Sequence, residues 1–131
     1  MSKTFYQSRV DVAAALCLAA RFDMHEGICN HFSYALPEED CFLINPHGIQ
    51  WSMMRASDIL VVNEAGDILE GDQELEDTAF CIHSRVHARH QRARAVLHTH
   101  MPYATTLTSI QNGRVEPVNQ NALRFWDDIA Y

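Results

Sequence analysis

The stretch Phe32-Ser33-Tyr34-Ala35-Leu36-Pro37-Glu38-Glu39-Asp40-Cys41-Phe42-Leu43-Ile44 sets two apolar runs on either side of a polar, Pro-containing turn. Short apolar runs joined in this way read as a β-hairpin, so the spacing predicts an antiparallel pair of strands. Upstream, the Ala-rich residues 8–22 are strong helix formers and stop short of Gly27, which predicts a first helix. Downstream, Asn45-Pro46-His47-Gly48 is a second turn, and Ser57-Asp58-Ile59-Leu60-Val61-Val62 followed by Asn63-Glu64-Ala65-Gly66-Asp67 reads as strand, turn, strand. Residues 77–90 turn helical, with Phe80, Ile82 and Val86 among polar neighbours; residues 93–101 form a short apolar strand; Pro102 opens a helix-leaning segment over 103–110. The pattern predicts a single α/β domain over residues 1–131, with helices flanking a mostly antiparallel sheet.

Composition agrees with one folded domain. At 131 residues, 47% hydrophobic and 21% charged, the chain is neither disordered nor fibrous. Ten Lys and Arg against seventeen Asp and Glu give a formal charge of -7, which argues against nucleic acid as a partner. Cys17, Cys29, Cys41 and Cys81 contain no C-x-x-C pair and predict reduced thiols in a cytoplasmic protein rather than a disulfide framework. The apolar run 12–20 follows Lys3 and Arg9 like a weak secretory signal, but Asp11 and Arg21 bracket it and it is too short to span a bilayer. No membrane partner is expected.

Five of the eight histidines fall between residues 83 and 100. On a strand, residues two apart point to one face, so His98-Thr99-His100 could direct two imidazoles at one divalent ion. The competing reading is a pair of hydrogen-bonded histidines at a strand end. His83, His87 and His90 form one stripe on the preceding helix, interspersed with Arg85, Arg89, Arg92 and Arg94; a solvated polar face is the favoured reading of both sets. Trp51, Phe125 and Trp126 read as core or interface residues. The turns Glu26-Gly27-Ile28-Cys29-Asn30-His31-Phe32-Ser33 and Asn45-Pro46-His47-Gly48 can present backbone N–H groups to a carboxylate or phosphate, and no Walker or dinucleotide motif is present.

These blocks resemble the class II aldolase/adducin domain family. Glu26-Gly27 through His31-Phe32-Ser33 is similar to that family's E-G-x-x-G-H-I-S loop. Ile44-Asn45-Pro46-x-Gly48, Asp58-Ile59 through Gly66 to Glu70-Gly71, and Ile82-His83 to His87-Ala88 running into Ala95-Val96-Leu97-His98-Thr99-His100 follow in order. Gln120-Asn121-Ala122-Leu123-Arg124-Phe125 resembles the adducin branch, and the likeness covers nearly the whole chain.

The resemblance implies an α/β/α layered domain with a central, largely antiparallel sheet, usually a homo-oligomer with sites near subunit contacts. It implies a divalent metal, expected to be zinc, held by three histidines, of which His98 and His100 match two. His31, Ser33 and Gly48 match positions in loops that hold the substrate's anionic group, although Asn30 stands where a glycine is usual. No histidine follows His100 to match the third ligand, so the resemblance implies the front portion of a domain truncated at its C-terminus, which would be impaired alone. Ala79 stands where aldolases carry their acid–base glutamate, and no catalytic residue is assigned. The expected function is a metal-dependent carbon–carbon lyase, of aldolase or decarboxylase type, acting on a small anionic molecule. The alternative is a non-enzymatic, adducin-like interaction module.

Overall fold

The computed structural model describes residues 5–90 and 92–131. Contacts divide the chain into two compact units, Met1–His100 and Met101–Tyr131. In the first, helix α1 (Tyr6–Arg21) precedes strands β1 (His31–Leu36), β2 (Cys41–Ile44), β3 (Leu60–Asn63) and β4 (Ile68–Glu70), then helix α2 (Asp77–Arg89) and strand β5 (Ala95–His98). The five strands form one sheet, ordered β4-β3-β2-β1-β5, with every neighbouring pair antiparallel.

The hairpin expected over residues 32–44 is the β1–β2 pair, in register from Ser33 opposite Ile44 to Leu36 opposite Cys41. Asp40 closes its turn at φ 50°. The strand–turn–strand expected after residue 57 is β3–β4. In its turn the Asn63 side-chain oxygen accepts from the backbone N–H groups of Ala65 and Asp67, and Gly66 takes φ 94°. The strand expected over 93–101 is shorter: only Ala95–His98 pairs with β1.

Side chains alternate across the strands, so each helix covers one face. Val12, Ala13, Leu16 and Ala19 of α1 pack with Phe32, Leu43, Val61, Trp51 and Ile59 on one side. Ala79 of α2 packs with Phe42, Ile44, Leu60 and Val62 on the other. Burial of a leucine-sized side chain contributes about 1.5–3 kcal/mol, which is why the helix stripes and strand faces find each other. Arg9, 2% exposed, is the polar tie of the first layer: its guanidinium donates to the Ile59 carbonyl and pairs with Glu70 at 2.8 Å.

The second unit holds helices α3 (Pro102–Thr108) and α4 (Gln120–Leu123). Within it the Arg114 guanidinium lies 4.6 Å from the centre of the Tyr131 ring, whose hydroxyl accepts from the Val115 N–H at 2.9 Å. Of the three aromatic residues expected in a core or interface, Trp51 is fully buried, while Phe125 and Trp126 are exposed. All four cysteines are unpaired thiols. Among the described residues no helix is long and apolar enough to cross a membrane.

Candidate functional site

The site begins with the register of β1 against β5. His31 lies directly opposite His98, and both side chains fall on the α2 face of the sheet. The rings stand 4.4 Å apart, with His98 Nδ1 3.1 Å from His31 Nε2. His98 ends β5 and His100 follows in the segment beyond it, so the pair is not carried on one continuous strand as its spacing suggested. His100 reaches the same place because two bonds hold it. Its backbone N–H donates to the Met24 carbonyl at 3.1 Å, and its Nδ1–H donates to the Glu26 carboxylate at 2.8 Å. The Nε2 atoms of His98 and His100 then face each other at 3.1 Å.

The loop before β1 and the turn after β2 support this arrangement. Asn30 accepts from the Glu26 N–H at 2.6 Å, while Asn45 accepts from the Phe32 N–H at 2.8 Å and donates to the Asn30 carbonyl at 3.3 Å. These bonds tie the Glu26 loop to the sheet end from which His98 emerges. Gly48 lies exposed in the neighbouring turn at φ 80°.

Behind His98 the imidazoles continue inward. His31 Nδ1 lies 2.7 Å from His83 Nε2; His83 Nδ1 lies 2.5 Å from Ser33 Oγ; Ser33 Oγ lies 2.7 Å from His87 Nε2; and His87 Nδ1–H donates to the Ala93 carbonyl at 2.8 Å. The solvated-face reading of the helix stripe is thereby corrected. His83 is 0% exposed and His87 half-buried, and only His90 faces solvent. The inner edge of α2 is Ala79, His83 and Val86, spaced i, i+4 and i+7. That line was available as a signal in the sequence, but reading it required knowing which side of the helix meets the sheet. The arginines are exposed, Arg85 and Arg89 on α2 and Arg92 and Arg94 in the segment after it, Arg94 pairing with Glu38 at 3.0 Å.

Burial sets the protonation of these rings. It pushes His83 down to about 3, with the neighbouring His31 and His87 adding to the effect, and His31 down to about 4, with His98 adding. His87 and His98 are lowered as well, burial again first. The cluster is therefore a set of neutral donors and acceptors.

Two ligands of a tetrahedral zinc ion, each about 2.0–2.1 Å from it, lie about 3.3 Å from each other. The 3.1 Å between the two Nε2 atoms is close to that spacing, and Glu26 behind His100 is a usual outer partner of a ligating histidine. His31 does not complete the set, because its Nε2 faces Nδ1 of His98 rather than the space beside Nε2. Among the described residues no group of three or more His, Cys, Asp and Glu side chains converges on one point. The donor set fits one side of a metal site. Ala79 is fully buried against Phe42 and Ile44, and the nearby Glu76 accepts from the Ala79 N–H as the cap of α2.

The family model for the class II aldolase and adducin N-terminal domain matches residues 10–131. A crystal structure of an aldolase II superfamily protein from Pseudomonas syringae superposes with a TM-score of 0.88 at 31% identity, over 97% of this chain and 52% of that one. The L-fuculose 1-phosphate aldolase of Glaciozyma antarctica PI12 superposes with a TM-score of 0.82 at 25% identity, over 91% of this chain and 49% of that one. Human beta-adducin is 36% identical over 97 residues, 72% of this chain and 13% of its own length. The chain spans about half the length, or less, of the curated relatives it matches. With residues 10–131 matched and a layered α/β fold shared with solved members, this chain belongs to the class II aldolase and adducin N-terminal domain family.

Proposed function

We propose that this chain carries the His98 and His100 side of a divalent-metal site in a carbon–carbon lyase that acts on a small, oxygenated, anionic substrate. The observation that carries this reading is the 3.1 Å approach of two Nε2 atoms, each ring held from behind, His98 by His31 and His100 by Glu26. When bound, a divalent ion such as zinc supplies a Lewis acid that stabilises charge on the substrate oxygen as a carbon–carbon bond breaks. Glu26 orients His100 by accepting its Nδ1–H. Burial keeps His31, His83 and His87 neutral, so no positive charge opposes a cation beside His98. Of the three positions proposed for the substrate's anionic group, Gly48 is exposed in its turn and is assigned the direct contact. His31 and Ser33 are buried with their side chains bonded to histidines, and they border the site from within.

Retro-aldol cleavage needs a base for the substrate hydroxyl, whereas loss of carbon dioxide from an oxo acid needs chiefly an electron sink. Alanine at position 79, with Glu76 engaged as a helix cap, favours the decarboxylase type over the aldolase type. The same alanine and the identity to beta-adducin favour a second reading, an interaction module without chemistry.

The test is titration of the chain with zinc or cobalt. Wild type should bind one ion weakly, as a site with two imidazoles does. His98→Ala and His100→Ala should each abolish that binding. Variants that bind as well as wild type would remove the metal reading and leave the interaction module. Stoichiometric zinc retained through dialysis would point instead to a further ligand.

A further inference from the structure

The row of rings behind His98 has a direction, and that direction follows from its far end. The Ala93 carbonyl only accepts, so His87 must carry its proton on Nδ1 and leave Nε2 bare. Among the described residues the polar hydrogen that meets this lone pair is that of Ser33, whose oxygen is then free to accept from His83 Nδ1–H. His83 Nε2 is left bare and accepts from His31 Nδ1–H; His31 Nε2 is left bare and accepts from His98 Nδ1–H. Reversing any one of these bonds would set two lone pairs or two hydrogens against each other at 2.5–3.1 Å in a buried or half-buried place. A free neutral imidazole prefers its proton on Nε2, so four successive rings with the proton on Nδ1 are an imposed state.

We propose that Ser33, His83 and His87, acting through His31, are positioning residues that fix His98 in its Nδ1–H tautomer and thereby turn a bare Nε2 toward the Nε2 of His100. The hydroxyl of Ser33 is the link that reverses roles, accepting on one side and donating on the other. Glu26 does the corresponding work for His100, whose Nδ1–H it accepts. Two lone pairs thus face one another across 3.1 Å at the His98 end of the row, a repulsive approach that a cation shared between them relieves. The tautomer assignment holds for the metal-free chain, while its use rests on the metal reading above.

The experiment labels the histidine ring nitrogens of the whole chain and reads each tautomer by NMR in the presence of a chelator; cobalt affinity is then measured separately. In wild type, His31, His83, His87 and His98 should carry the proton on Nδ1. In Ser33→Ala, His98 should shift toward the Nε2–H form and cobalt should bind about 10- to 100-fold more weakly, the usual effect of losing an outer partner. Ser33→Thr, which keeps the hydroxyl, should retain both properties. His87→Phe, placed beside Phe42 at a half-buried position, breaks the same row from its outer end and should reproduce the tautomer shift if Ser33→Ala does not fold. An Nε2–H form of His98 in wild type, or an unchanged His98 tautomer in both variants, overturns the proposal. Expected tautomers in a chain that binds no cobalt would support the row while removing the metal reading, so the two failures are distinguishable.

Discussion

His83 is the residue whose protonation most changes the fold's stability with pH. Its value in the folded chain, about 3, lies below the ordinary 6.5, so the unfolded chain takes up a proton that the folded chain refuses. Stability is therefore full above about pH 6.5 and falls as the pH is lowered through the window between 6.5 and 3, below which this ring removes no more. For one such group the loss between pH 7 and 5 is about 2 kcal/mol, at 1.36 kcal/mol per unit of pH below 6.5. Urea midpoints of the chelator-treated chain at those two pH values check this, and His83→Gln should reduce the difference by about that amount while the share of His31, itself lowered to about 4, remains. At Arg9 the issue is charge rather than protonation. Glu70→Ala leaves a buried guanidinium without its partner and should cost about 3 kcal/mol, read as a lower unfolding midpoint.

At the scale of elements, α2 serves the site and the core with the same face. Its inward line places Ala79 on the strand core and His83 against Ser33 and His31, so the depth of the helix on the sheet fixes the row of rings. The helix is held at its start by Glu76, whose carboxylate accepts from the Ala79 N–H. Glu76→Ala should cost about 1 kcal/mol and speed amide exchange in the first turn of α2, while Asp77→Ala, which makes no such bond, should change little. Strand β5 shows how an element boundary changes a motif. The H-x-H spacing predicts a shared strand face, yet the strand ends at His98 and the loop residues Met24 and Glu26 bring His100 round to meet it.

At the scale of the first unit, β5 is an edge strand with one side paired to β1, and Leu97 on its α1 face is 60% exposed. Leu18 and Phe22 of the α1 region are exposed as well. Unpaired strand edges and uncovered apolar side chains favour association, so the chain should run as a dimer or larger in light scattering. Leu97→Lys should shift it toward monomer; a clean monomer in wild type would count against the expectation.

The sequence by itself determined the order and type of the main elements of the first unit, because hydrophobic spacing and turn residues act locally: the hairpin over residues 32–44, both main helices, and the pair His98 and His100 were all readable from neighbours in the chain, whereas the short helix α4 was not. Only tertiary structure decided which side of α2 faces inward. A histidine suits a solvated face and a satisfied interior equally well, and what separates the two is whether partners such as Ser33 and His31, some fifty residues away in the chain, arrive to accept and donate. The same holds for Glu26 and His100, 74 positions apart, whose meeting depends on the antiparallel register that sets β5 beside β1.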